Sequence, residues 1–262
     1  MKLINAFFLI ICAICVASCE HHHKNSLRVG VMAGPETTIM ETAKTVASKQ
    51  FGLDIDIVEF SDYLQPNAAL NEGSIDANLF QHQPYLDEQI KDRHYELVSI
   101  GKMFIYPMGI YSNHVKSLKD IATGSTVAIP NDPSNEGRAL LLLQSAKMIT
   151  LNSNAGVYAT PRDIINNPNQ LVFKELDAAQ LARSLPDVAF GVINTNYAIL
   201  AGLSASNILW VEDTKSPYVN IVVIRKSDIN DPRFKQLMTA LHSAAVLETA
   251  KRTFNGQAIA AW

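Results

Sequence analysis

The stretch Asn131-Asp132-Pro133-Ser134-Asn135-Glu136-Gly137-Arg138 gathers more chemistry than any other in the chain. Asp132 suits a helix N-cap, and Pro133 falls at the first helical position, where a missing N–H costs nothing. A helix therefore starts here, just after the β-branched run Thr126 to Ile129. Its free N–H groups and partial positive charge favour an anion. Arg138 lies in the second turn, and a guanidinium fork can hold a carboxylate through two parallel hydrogen bonds. That carboxylate could belong to a small-molecule ligand. It could equally be an acidic side chain, either Glu136 or one from another part of the fold.

A second cluster, Phe80-Gln81-His82-Gln83-Pro84-Tyr85, places aromatic rings directly after a short strand, and Tyr63 holds a similar position after the strand before it. Ring edges suit a polarisable thioether, at roughly 0.3–1.5 kcal/mol per contact. Phe80 taken alone reads better as core. His82 would need further His or carboxylate ligands to hold a metal, and His94, His114 and His242 sit in unrelated segments without ligand spacing. His82 is thus expected to be a hydrogen-bonding wall, with no metal and no cofactor. Asn196, at a strand-to-helix turn, and Asn220 offer amides that can donate to a carboxylate and accept from an ammonium. Asn194 reads more simply as a turn or cap residue. No Ser-His-Asp set, phosphate loop or paired-carboxylate motif stands out, so no catalytic residue is assigned. Gly30 and Gly34 lack the third glycine and acidic residue of a dinucleotide fingerprint.

The elements that must position these groups alternate from Leu27 onward. A strand over Leu27 to Met32 precedes a helix from about Glu36 to Gln50, a strand over Asp54 to Phe60 with period-2 alternation, and a helix around Pro66 to Glu72. This alternation predicts an α/β fold with mainly parallel sheets flanked by helices. Two extended, proline-interrupted segments, Lys102 to Tyr111 and Ser216 to Ile224, read as crossings between lobes. Between them lies a complete α/β set: strands at Thr126 to Ile129, Leu171 to Lys174, Val188 to Ile193 and Ile208 to Val211, and a helix from Pro133 to Ala146. A helical stretch from about Pro232 to Arg252 closes the chain. The expected organisation is a discontinuous lobe of residues 27–107 and 219–262, an inserted lobe of residues 108–218, and a ligand cleft between them. A single large α/β domain would show the same periodicity.

The N-terminus sets the compartment. Lys2 precedes an apolar run from Ala6 to Ala17 that is too short to span a bilayer and ends at Val16-Ala17-Ser18-Cys19, which resembles a lipobox. Residues 1–18 are expected to be a signal peptide, Cys19 the lipid carrier, and residues 19–26, with His21, His22 and His23, a solvated tether. All three cysteines, Cys12, Cys15 and Cys19, lie in this segment, so the exported body must be held by its core and not by disulfides. The net charge of −3 provides no basic field for nucleic acid or anionic lipid, and membrane attachment falls to acyl chains.

Four motifs in order, the Phe80 to Tyr85 run, Pro107 to Ser112, Ala128 to Leu140 and Ser216 to Asn220, closely resemble the methionine-binding lipoproteins of the MetQ/NlpA family. The likeness covers nearly all of the mature chain. It implies a two-lobe periplasmic binding-protein fold of the type II kind, with two crossover segments at the hinge, a lipid anchor, L-methionine as ligand and the permease of a methionine ABC transporter as partner. It also implies that Arg138 grips the carboxylate, that Asn196 and Asn220 hold the amino-acid backbone, and that Tyr63, Phe80, His82 and Tyr85 wall the side-chain pocket. Ala182 stands where the family has a proline, and Phe190, Gly191 and Thr195 differ around Asn196. These departures bear on ligand preference. Two other readings remain: a binding protein for a different small amino acid or a methionine dipeptide, and a periplasmic lyase or dehydratase using Glu136 or His82 as acid or base.

Overall fold

The computed structural model describes residues 25–213 and 216–262; the expected signal peptide, Cys19 and the histidine-bearing tether lie outside them. The chain opens with β1 (Ser26–Met32), α1 (Pro35–Phe51), β2 (Asp54–Phe60), α2 (Gln65–Asn71), β3 (Ala77–His82), α3 (Gln83–Arg93) and β4 (Leu97–Ile105). It continues with β5 (Gly109–Tyr111), β6 (Thr126–Pro130), α4 (Pro133–Ser145), β7 (Thr150–Leu151), β8 (Ile164–Asn166) and β9 (Val172–Leu176). The remainder holds α5 (Leu181–Ser184), β10 (Phe190–Ile193), α6 (Thr195–Leu200), β11 (Ile208–Val211), β12 (Val219–Arg225), α7 (Pro232–Leu241), α8 (Ala244–Thr253) and β13 (Ile259–Ala260).

Local chemistry explains the boundaries that matter for the site. Helix α1 starts on Pro35 after Gly34, whose φ of 108° is open to glycine, and ends on Gly52 in the left-handed conformation. In α4 the Asp132 carboxylate accepts from the Asn135 backbone N–H at 2.9 Å, with Pro133 at the first position. The single helical stretch expected at the C-terminus is two helices. Ser243 caps α8 by accepting from the Val246 N–H, so the chain restarts there. Strand β9 runs two residues past the expected Lys174, and β10 begins at Phe190, not Val188.

Two sheets organise the chain. The first has the order β13-β4-β12-β3-β1-β2 and the second β11-β5-β10-β6-β9. Their βα units pair in parallel, β2-β1-β3 in one and β10-β6-β9 in the other. The strands that carry the crossings, β4, β5, β11 and β12, pair antiparallel, so both sheets are mixed. Between β4 and β5 the chain passes from the first sheet to the second through Tyr106-Pro107-Met108, and between β11 and β12 it returns. The two passages run side by side: the Glu212 N–H donates to the Met108 carbonyl at 2.9 Å, and the Met108 N–H to the Glu212 carboxylate at 3.1 Å.

Each sheet has its own core. Leu27, Val29 and Val31 of β1 pack with Ile39, Met40 and Ala43 of α1 and with Phe234, Leu237 and Val246 of α7 and α8. Val127 and Ile129 of β6 pack with Leu140 and Leu143 of α4 and with Phe190 and Val192 of β10. A further buried cluster joins the two halves, with Met32, Phe80 and Tyr85 from the first against Tyr111, Leu185, Ile193 and Tyr197 from the second. Among the described residues no helix is long and apolar enough to cross a membrane.

Candidate functional site

One cavity between the two sheets is lined by all seven residues singled out from the sequence: Tyr63, Phe80, His82, Tyr85, Arg138, Asn196 and Asn220. It encloses about 370 Å³ of space not filled by protein atoms, open solvent at its mouth included.

A β-bulge sets the aromatic wall. Along β3 the partners of β12 step from Gln81 to Leu79, leaving Phe80 as the extra residue. The shift lets Asn78 and Gln81, three residues apart, turn to the same side. There they bond each other and Asn67 of α2: Asn78 Nδ2 and Gln81 Nε2 both donate to Asn67 Oδ1, at 2.9 and 2.6 Å, and Asn67 Nδ2 donates to Gln81 Oε1. This fully buried amide network fixes the strand end that carries Phe80 and His82. Tyr63, Phe80 and Tyr85 then pack ring against ring, with centroids 5.8–6.1 Å apart. The Tyr85 hydroxyl donates to the Tyr63 carbonyl at 2.8 Å.

His82 is the N-cap of α3: its Nδ1 accepts from the Tyr85 N–H at 3.2 Å. The proton therefore sits on Nε2, which donates to Asn135 Oδ1 at 3.3 Å. Burial, reinforced by the Arg138 charge, pushes the imidazole down to about 3, so it stays neutral across physiological pH. With both nitrogens committed, His82 is a wall and a cap; it has no lone pair left for base chemistry. Glu136, the other acid-base candidate, does not line the cavity.

Arg138 is 4% exposed, and its fork is already occupied. Nε donates to Glu212 Oε1 at 3.0 Å, Nη2 donates to the same carboxylate and also to the Tyr106 carbonyl at 3.0 Å, and the guanidinium lies 4.6 Å over the Tyr218 ring. Of the two partners open at the sequence level, the protein carboxylate is present, but it is Glu212 of the return crossing and not Glu136. Nη1 alone has no hydrogen-bond partner among the described residues. A ligand carboxylate can thus meet one arm of Arg138, without the bidentate grip of a free fork.

Asn194 was read as a cap, yet its side chain caps nothing. Its Nδ2 donates to Asn135 Oδ1 at 2.9 Å, and its Oδ1 is buried without a partner. Glu36 in the first turn of α1 is 2% exposed, lines the cavity, and its Oε2 is likewise unpartnered, as is the Tyr106 hydroxyl. Burial raises the Glu36 carboxyl to about 8. Glu36, Tyr106, Asn135, Asn194, Thr195 and Glu212 were missed as site residues. The signal available for Glu36 was its place after Gly34-Pro35 at a strand's carboxyl end, where α/β ligand sites lie.

The halves are closed on one another. Tyr63 donates to Asn196 Oδ1 at 2.8 Å and Tyr197 to the Ser61 carbonyl at 3.3 Å, both across the cleft. On the outer rim the Tyr158 hydroxyl donates to the Pro84 carbonyl at 3.0 Å.

Residues 27–262 match the NlpA lipoprotein family. The D-methionine-binding lipoprotein MetQ of Salmonella typhimurium is 47% identical over 258 residues, 97% of this chain and 95% of the relative. A periplasmic substrate-binding protein of an ABC transporter from Coxiella burnetii superposes with a TM-score of 0.87 at 56% identity, covering 90% of this chain and 100% of that one. A nutrient-binding protein from Burkholderia cenocepacia, solved bound to methionine, gives a TM-score of 0.88 at 47% identity, with 90% and 100% covered.

Proposed function

The chain belongs to the NlpA lipoprotein family, and from that premise we propose that it captures L-methionine and delivers it to the permease of an ABC importer. The relatives it matches are named as binding lipoproteins, and binding is its role, not catalysis. The carrying observation is the polarity of the cavity. Its lining combines the Arg138 guanidinium, with one unbonded arm, and the unpartnered acceptors of Asn194 and Glu36 with the rings of Tyr63, Phe80 and Tyr85. A zwitterion with a flexible sulfur-bearing tail satisfies both kinds of group. Arg138 takes the carboxylate, Asn196 and Asn220 hold the amino-acid backbone, and the rings with His82 enclose the thioether.

Residues 27–107 with 219–262 form one lobe and residues 108–218 the other, a division supported by the separate sheets and the paired crossings. Ligand contacts from both lobes favour the closed form by differential binding. The importer then reads that form. Cys19 carries the lipid that holds the protein in the cell envelope, on the periplasmic face.

Mass spectrometry of the small molecule that copurifies with the protein, followed by calorimetry with L-methionine, D-methionine and a methionine dipeptide, tests the reading. Copurified methionine and tightest binding of the L-form are expected. Recovery of an unrelated molecule, with no heat from any methionine compound, would overturn it.

A further inference from the structure

The lining of the cavity contains more acceptor capacity than a carboxylate-binding site needs. Glu36 Oε2, Asn194 Oδ1 and the Tyr106 hydroxyl are all buried, all without a partner among the described residues, and all borne by residues that line one cavity. A buried polar atom without a partner is destabilising, so three such atoms on residues lining one cavity form a preformed demand for donors. An α-ammonium carries three N–H groups and one positive charge. Water could satisfy the hydrogen bonds but not offset the desolvated charge of an ionised Glu36.

We infer that Glu36 makes this site selective for a free α-ammonium group, and that seating the ammonium expels to solvent the proton held on the Glu36 carboxyl. The inference rests on the amino-acid reading above and deepens it. The surroundings support the linkage. Tyr63 from the loop after β2, Tyr106 from the first crossing and Tyr197 from α6 all couple to Glu36, and burial holds each of these hydroxyls neutral. Arg138 of α4 and neutral His82 share the cavity, but Arg138 is already offset by Glu212. At pH 7 an unliganded Glu36 is therefore held mainly as the neutral acid. The arriving cation reverses this, and the proton leaves.

Calorimetry at pH 7 in two buffers of different ionisation enthalpy counts the protons. Wild-type protein stripped of ligand is expected to release about 0.9 proton per methionine, the fraction held one pH unit below about 8. Methionine affinity should climb about ninefold from pH 6 to 7 and about fivefold from pH 7 to 8. Glu36→Gln, which keeps the volume and the neutral form, should release none, lose the pH dependence and bind about tenfold or more weakly at pH 8. N-acetylmethionine, which lacks the cation, should be rejected by the wild type, and the preference for methionine over it should shrink in the variant. Tyr106→Phe should weaken methionine while leaving proton release intact. Wild-type binding without proton release, release that persists in Glu36→Gln, or unchanged affinity of that variant at pH 8 overturns the inference and leaves the methionine reading standing. A wild type that gives no heat with methionine defeats the functional reading instead.

Discussion

Glu212 holds Arg138 through both carboxylate oxygens, with Nε at 3.0 Å from Oε1 and Nη2 on Oε2, and the same carboxylate accepts from the Met108 N–H of the neighbouring crossing. The cation of the cavity is therefore anchored to the hinge itself. Removing one member of a buried ion pair costs about 3–5 kcal/mol, because the other charge is stranded. Glu212→Ala and Arg138→Ala should each lose stability of that order in urea titrations. The double variant Arg138→Met with Glu212→Leu should regain much of it and still fail to bind methionine by calorimetry. A double variant that binds would remove Arg138 from ligand recognition.

Two buried groups bend stability with pH in opposite senses. Glu36 is raised from 4.5 to about 8, so its contribution is complete below pH 4.5 and disappears as pH climbs through 8. His82 is lowered from 6.5 to about 3, so its contribution is complete above pH 6.5 and fades as pH falls towards 3. Between 4.5 and 6.5 the two oppose each other. Glu136, raised to about 7, has the same sign as Glu36. Above pH 7 Glu36 dominates, and ligand-free protein should lose up to about 1.4 kcal/mol per pH unit between 7 and 8. Urea midpoints across pH check this, and Glu36→Gln should flatten that interval.

Gly137 lies where a Cβ would meet the Val157 carbonyl oxygen at 2.3 Å and the Ala159 nitrogen at 2.9 Å. These neighbours are backbone and cannot rotate aside. Gly137→Ala should push the turn bearing Tyr158 off α4, at a cost of about 1–3 kcal/mol in thermal or urea unfolding. An unchanged melting point would show that the turn yields freely.

Asn67 ties α2 to the bulged strand. Asn67→Ala strands the amides of Asn78 and Gln81, and a loss of about 1–3 kcal/mol or more is expected. Asn67→Asp keeps the acceptors but removes the donor to Gln81, and should fall between wild type and alanine. Equal stability of all three would mean that buried water replaces the network.

The parts of this molecule that obey short-range rules were legible in the sequence. Asp132-Pro133 marked the start of α4 and the alternation over 54–60 marked a half-buried strand, because capping and pleat act within a few residues. The seven proposed site residues also converge on one cavity. Glu212 could not be assigned to Arg138 because 74 positions separate them, and only the antiparallel, side-by-side run of the two crossings brings them together. Glu36 looked like an ordinary first-turn acid, since nothing local reveals that α6 and the first crossing cover it. Asn194 has the residue type and position of a cap, but its side chain turns to Asn135 instead. The division of the last helical stretch hinged on a single serine hydroxyl.

The Tyr158 to Pro84 bond spans the rim on a side chain that is 42% exposed, and neither residue lines the cavity. Altering it is expected to change how long the jaws remain shut without changing which guest they prefer. Dwell time and discrimination are thus separately adjustable: one by substitutions on an outer turn, the other only by substitutions in the interior. A lineage meeting scarcer nutrient could slow escape at the rim while every contact to the guest stayed as it was.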